Sequence, residues 1–145
     1  MKHKTLQQLI KLRKFNWVNS GITKENFPEQ KNDFREGEVK LFSFDKTMLS
    51  EDVIKEMDKE GYSPCTIREL LSWDGWNGKD FIVGLGSLWR RPGGGRRIPV
   101  LGRDGVGRTL CLGWFGGGWA GVDRFAALCK CPSDTLSLES RIKTS

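Results

Sequence analysis

Four cysteines, a single histidine, and arginines interleaved with tryptophan are the residues whose types and spacing bear on chemistry. Zinc is held by thiolates and imidazoles clustered at set spacings. Cys65, Cys111, Cys129 and Cys131 form no Cys-x-x-Cys pair, and His3 stands alone at the N-terminal end. That pattern predicts no metal site and no cofactor, and the thiols read as free side chains. Cys129 and Cys131 are two positions apart, which on a strand puts both on one face. With no histidine nearby they read as ordinary thiols. A hydrolytic nucleophile needs a base oriented by a third group, and no Ser/His/Asp or Cys/His set can be assembled around a terminal imidazole. The chain therefore reads as non-catalytic.

The arginines raise a second possibility. Trp89-Arg90-Arg91 and Arg96-Arg97 flank Gly93-Gly94-Gly95, a basic-plus-aromatic pattern like that of single-strand nucleic-acid binders. The net charge of +6 points the same way, although Lys2, Lys4, Lys11, Arg13 and Lys14 fit a solvated helix face equally well. The triglycine is neither a G-x-G-x-x-G motif nor a phosphate loop ending in Lys-Ser/Thr, so it predicts a flexible loop. A nucleic-acid-binding module is the alternative reading; the plainer one puts the tryptophans in a core.

The elements around these residues differ sharply between the two halves. With 145 residues, six Trp and eight Phe, the chain can bury a core of its own. Thr5 and Gln8 predict a capping box before Leu6, Leu9 and Ile10. Residues 15–37 read as polar and irregular, and Glu38–Asp45 as a strand. Ser50 is expected to cap a helix over Glu51–Glu60 that Gly61 ends. Thr66 and Glu69 form a second capping box ahead of Leu70, Leu71 and Trp73. No stretch approaches the ~18 apolar residues of a membrane span. The basic N-terminus has no apolar run behind it, so no secretion signal is read there. Cytoplasmic placement is the default expectation, with virion association or surface display left open, and no membrane insertion.

From Asp80 to Cys129 there is no Lys, Glu, Gln, Met, Asn, His or Tyr, although residues 1–79 use all seven. Thirteen of the 18 glycines fall between Gly84 and Gly121. An apolar frame nevertheless runs through the segment, so it is not a linker. In Thr109–Trp114 the residues Leu110, Leu112 and Trp114 alternate with Thr109, Cys111 and Gly113, which predicts a strand with the first set inward and the second outward. The outward set shares no chemistry. Mutation at codons ending in C or T would produce such a mixture, because those codons never encode Lys, Glu, Gln, Met or Trp.

GYSPCTIRELLSW (61–73), FIVGLGSLW (81–89), IPVL (98–101), LCLGWFGGGW (110–119) and DRFAAL (123–128) together resemble the variable proteins of diversity-generating retroelements, found in phages, archaea and small-genome bacteria. In that family a reverse transcriptase copies a template repeat with adenine-directed errors into the 3′ end of the target gene. The resemblance covers roughly residues 40–130. It implies an α+β, C-type-lectin-like fold of the formylglycine-generating-enzyme kind: two short helices on a small twisted antiparallel sheet, with a loop-rich C-terminal binding face. Cys65 stands where the family pattern has Ala. The expected organisation is one domain over 1–130, constant over 1–79 and diversified over 80–130, followed by a polar tail, 131–145. The hypervariable ligand-binding positions implied are Arg91, Gly93, Gly95, Arg97, Gly102, Asp104, Gly107, Thr109, Cys111, Gly113, Gly116, Gly117, Gly118, Ala120, Val122 and Asp123. Leu110, Leu112, Trp114, Trp119, Arg124 and Phe125 would be fixed scaffold. The implied partner is a protein or cell-surface macromolecule whose identity the sequence does not give, because varied loops on a rigid support can be changed at little folding cost.

Overall fold

The computed structural model describes residues 3–31 and 33–130; the tail read after Lys130, Cys131 included, lies outside the described residues. Helix α1 (Leu6–Leu12) starts at the Thr5/Gln8 capping box, with both reciprocal hydrogen bonds present, and buries Leu6 and Leu9. A short strand β1 (Trp17–Val18) and the core residues Ile22 and Phe27 follow, in a segment whose sequence reads as irregular. The strand expected over Glu38–Asp45 is β2 (Lys40–Ser43). Next come β3 (Met48–Leu49), α2 (Ser50–Lys59), β4 (Tyr62–Pro64) and α3 (Ile67–Ser72), the last opened by the Thr66/Glu69 capping box. The glycine-rich half supplies β5 (Ile82–Val83), β6 (Trp89–Arg90), β7 (Arg96–Asp104), β8 (Gly107–Trp114), β9 (Gly118–Trp119) and β10 (Arg124–Cys129).

These elements make a mixed α+β fold with few, short helices and a dominant sheet. The sheet is eight-stranded, ordered β1-β8-β7-β5-β10-β2, with β4 added beside β10 and β6 beside β7; β3 and β9 pair separately. It is not the antiparallel sheet the resemblance implies, because β1 runs parallel to β8 and β5 parallel to β10. Three helices cover it rather than two. α1 and α3 lie on one face, where Leu6, Leu9, Ile67, Leu70 and Leu71 pack with Ile22 and Phe27 against Ile82, Leu101, Leu110, Ala126 and Leu128. α2 lies on the other, where Val53 and Met57 join Phe115 and Trp119 over Val83, Ile98, Phe125 and Ala127. Phe125-Ala126-Ala127-Leu128 thus alternates between two cores. A strand buried on both sides reads as a continuous apolar run.

A buried polar network fastens the segment before β2 onto α3. Glu69 accepts hydrogen bonds from the Arg35 backbone N–H (2.9 Å), from Arg35 Nε (2.7 Å) and Nη2 (2.8 Å), and from the Thr66 N–H (2.9 Å). Arg35 also donates to the Pro64 carbonyl and to the Ser63 hydroxyl. Beside it, Asp33 pairs with Arg68 at 3.2 Å, both buried, and the Asp33 carbonyl accepts from the Thr66 hydroxyl. Hydrogen bonding to Glu69 holds the Arg35 guanidinium above its ordinary pKa, against the effect of burial. Removing one member of such a set leaves the other charge buried and unpaired.

Ser50 departs from its expected role. It is the first residue of α2, preceded by Leu49 with no side-chain cap. Its hydroxyl is spent in the core, donating to the Phe115 carbonyl (2.6 Å) and accepting from Trp119 Nε1 (2.8 Å). An indole N–H in a core needs a partner, and this one ties α2 to the loop after β8. Ser50→Ala strands both groups without water. It is expected to cost about 1–3 kcal/mol in a denaturant titration; a loss below about 0.5 kcal/mol, the range of a surface substitution, would show that the bridge contributes nothing.

Candidate functional site

The long hairpin β7–β8 dominates the glycine-rich half. Its register runs from Arg97 opposite Trp114 to Asp104 opposite Gly107. Residues directly opposite one another share a face. Arg97, Leu101, Leu110, Leu112 and Trp114 therefore lie on the α1/α3 side, and Ile98, Val100, Gly102, Thr109, Cys111 and Gly113 on the α2 side. The sequence expectation of a buried side and a displayed side fails here, because both sides have layers against them. Thr109, expected outward, is 2% exposed, while Trp114, expected as buried scaffold, is 52% exposed. Along the hairpin, exposure changes from middle to ends rather than from face to face.

The sixteen expected binding positions accordingly fall into separate groups. Gly102, Thr109, Cys111 and Gly113 occupy the covered middle. Phe81 lies against Gly102, and the Cys111 thiol meets the Thr109 hydroxyl at 3.4 Å. A Cβ on Gly113 would lie 2.7 Å from the Trp119 ring. Gly102 and Thr109 are buried and Cys111 and Gly113 half-buried, so none of the four is openly displayed. Asp104 and Gly107 close the hairpin tip, seven pairs from Arg97, which at the rise of a strand is about 20 Å away. There Asp104 accepts from the Val106 N–H and Asn16 Oδ1 accepts from the Arg108 N–H, so the tip is tied to the β1 segment. Ala120, Val122 and Asp123 form a third group beside Phe44, Asp45 and Asp80. Val122 is 72% exposed, but Asp123 is engaged: its carboxylate accepts from the Ala120 N–H (2.9 Å), and burial raises its pKa.

Arg91, Gly93, Gly95 and Arg97, joined by Gly116 and Gly117, gather at the open end, while Gly118 lies beyond them in β9, paired with Leu49. The triglycine expected to be a flexible loop is a hydrogen-bonded turn, with the Arg91 N–H donating to the Gly95 carbonyl (3.0 Å) and the Gly94 N–H to the Arg91 carbonyl (3.1 Å). Its three residues have φ of 88°, 114° and 85°, values open to glycine and costly for other residues. Gly93 and Gly95 are thus held to glycine by the backbone and present only main-chain groups. Arg97 lies over the Trp114 ring, 3.7 Å from its centroid, and Arg96 over Phe115 at 4.5 Å on the opposite side. Arg91, Arg97, Trp89 and Leu112 line a cleft of about 250 Å³ with the Asn19-Ser20-Gly21 backbone. Trp89, Trp114 and the 19–21 loop belong to this site although sequence reasoning did not place them in it; the pairing of Trp17-Val18 with β8 brings the loop there, and nothing local signals a two-residue parallel strand.

The described cysteines and the histidine lie away from this cleft. Cys65 is fully buried, and burial pushes its pKa up to about 12 from the ordinary 9.0, so it carries no thiolate near neutrality. Cys111 is half-buried and Cys129 exposed. His3 stacks on Phe34 with centroids 4.0 Å apart. Among the described residues no group of three or more His, Cys, Asp or Glu could hold a metal ion, and no helix is long and apolar enough to cross a membrane. A comparison with family models, with curated proteins and with solved structures finds no match to this chain.

The split between covered middle and open end predicts unequal tolerance. A Cβ on Gly116 meets nothing within 4 Å, so Gly116→Ser should change stability by less than about 0.5 kcal/mol. Gly113→Ser must displace a buried, hydrogen-bonded Trp119 and is expected to cost about 1–3 kcal/mol. Equal melting temperatures for the two variants would refute the division.

Proposed function

We propose that this protein is a non-catalytic ligand-binding protein of the diversity-generating-retroelement kind, whose binding surface is the open end of the β7–β8 hairpin. The observation that carries the reading is the gathering there of Arg91, Arg97, Trp114 and the Gly116-Gly117 turn on a rigid sheet. Loops on a buried framework can vary without unfolding it. A C-type-lectin-like arrangement is supported by two capping-box helix starts ahead of a C-terminal half built of strands and turns. The displayed set is smaller than the sequence suggests: the positions interleaved in the middle of the hairpin belong to the core, and Asp104 and Gly107 to its far tip.

The Arg/Trp pattern that favours a nucleic-acid module has another physical use in this fold. Trp89 packs against the core residue Phe27, ring centroids 6.4 Å apart, and Trp114 carries Arg97 on its ring. Base stacking needs an open aromatic face; Trp89 is held against the core, and the half-exposed Trp114 has one face taken by Arg97.

Two measurements test the reading. The source genome should hold, beside a reverse transcriptase, a near-copy of the 3′ end of this gene with AAC at the codons of Arg91, Arg97 and Gly116–Gly118. Exchange of residues 89–97 and 114–118 with those of a sibling variant of known ligand should carry ligand preference with it, while the melting temperature stays with the rest of the chain. Absence of any such repeat, or preference that stays with residues 1–79, would refute it.

A further inference from the structure

We propose that the cleft at the open end of the β7–β8 hairpin takes a carboxylate, so that the partner of this surface is a protein segment rich in Asp and Glu. The inference rests on the display reading above and names the chemistry of its ligand. Arg90, Arg91, Arg96 and Arg97 stand together around one tight turn, and among the described residues none of the four is in an ion pair. Of the other arginines of β7, β8 and β10, Arg103 donates to the Gly78 carbonyl and Arg124 pairs with Asp80, while Arg108, stacked on Trp76 as Arg97 is on Trp114, lies near the opposite tip of the hairpin. Four like charges held at one end repel one another, and an anionic partner relieves that repulsion.

The cleft is also prepared for an anion. Arg97 is pinned over Trp114 at the edge of the cleft. A guanidinium already held in place loses little side-chain freedom when it makes a charge-assisted bond to an arriving carboxylate. Arg91, exposed at the rim, can supply the second guanidinium. Trp89 and Leu112 give the 250 Å³ cleft an apolar wall for the methylenes of an Asp or Glu side chain. Nucleic acid fits less well. Its phosphates call for a basic track and its bases for open aromatic faces. Here the unpaired arginines form one compact group. Trp89 is partly covered, since a Cβ on Gly21 would lie 2.6 Å from it and the 19–21 loop closes over that ring, and the half-exposed Trp114 has one face taken by Arg97.

The test is an array of short random peptides probed with the labelled full chain. Bound peptides should be enriched in Asp and Glu. The best of them, followed by fluorescence anisotropy, should bind about tenfold more weakly to Arg91→Gln/Arg97→Gln, the loss expected for a charge-assisted pair. Arg103→Gln should leave binding unchanged. Because Arg97 packs on Trp114, Arg91→Gln alone, at a fully exposed position, serves as the variant whose folding is not in question, and it should weaken binding in the same direction. Bound peptides without acidic enrichment, or acidic binding that survives in the double variant, would overturn the proposal. So would an oligo-deoxythymidine that binds more tightly than any peptide and is lost in the same variants. If segment exchange transfers ligand preference while the array shows no acidic bias, the display surface stands and this inference falls. If acidic binding through Arg91 and Arg97 is found but nothing transfers, the carboxylate site stands and the display reading falls.

Discussion

Much of the fold depends on one buried carboxylate. Glu69 caps its own helix through Thr66, and the same two oxygens hold the Arg35 side chain and backbone. A charge this deep is tolerated only when its lone pairs have donors, and here one comes from the helix's own N-cap and three from Arg35, thirty-four positions away. Arg35 carries the link on to Pro64 and Ser63, so one network joins the N-terminal segment, the short strand before α3 and the helix itself. With Asp33 and Arg68 beside it, this latch fixes the chain that leads from Phe27 to β2. It thereby closes the α1/α3 face of the sheet.

Closing that face sets what the hairpin can show. With α2 and Trp119 on the other side, both faces of the centre of β7–β8 are covered or half-covered, and its alternating residues meet two cores instead of a core and a display. Thr109 and Gly113 are small because neighbours stand against them: Phe81 and Gly102 beside Thr109, and the Trp119 indole over Gly113. The Ser50 hydroxyl orients that indole by bonding it and the Phe115 carbonyl at once. Freedom to vary is left to the hairpin's ends and the turns beyond them.

At the open end, stiffness and unmet charge coincide. Three successive glycines at positive φ make a turn too tight for other residues, and it sets two arginines on each side of the hairpin end. Trp114 and Phe115 hold one guanidinium apiece, on opposite faces. Binding loses affinity when long side chains must be ordered on contact. Arginines already stacked on aromatic rings have given up most of that freedom in the folded chain. The glycine content that suggests a loose, adaptable surface in the sequence therefore serves a rigid one in the structure.

The sequence by itself determined the local elements whose signals lie within a few residues. The Thr5/Gln8 and Thr66/Glu69 boxes, the stop at Gly61, the heart of β2 and the long strand through Leu110 all stand where propensity and capping place them. So does the change of character at Asp80, where helices give way to strands and turns. Tertiary structure alone decided what each face meets. The period of two in Thr109–Trp114 says that neighbours point to opposite sides, but not that both sides are covered, because the covering layers come from residues 6–27 and 50–57. Ser50 looks like a cap by its position ahead of an acidic first turn, yet a hydroxyl goes to whichever unsatisfied group is nearest, and a carbonyl and an indole sixty-five and sixty-nine positions away are closer. The arginine cleft was legible only in part. Arg91 and Arg97 stand out as charges in a glycine-rich run, while Asn19-Ser20-Gly21 enters the site through a parallel pairing of two residues with β8, a contact between distant segments that no local pattern records.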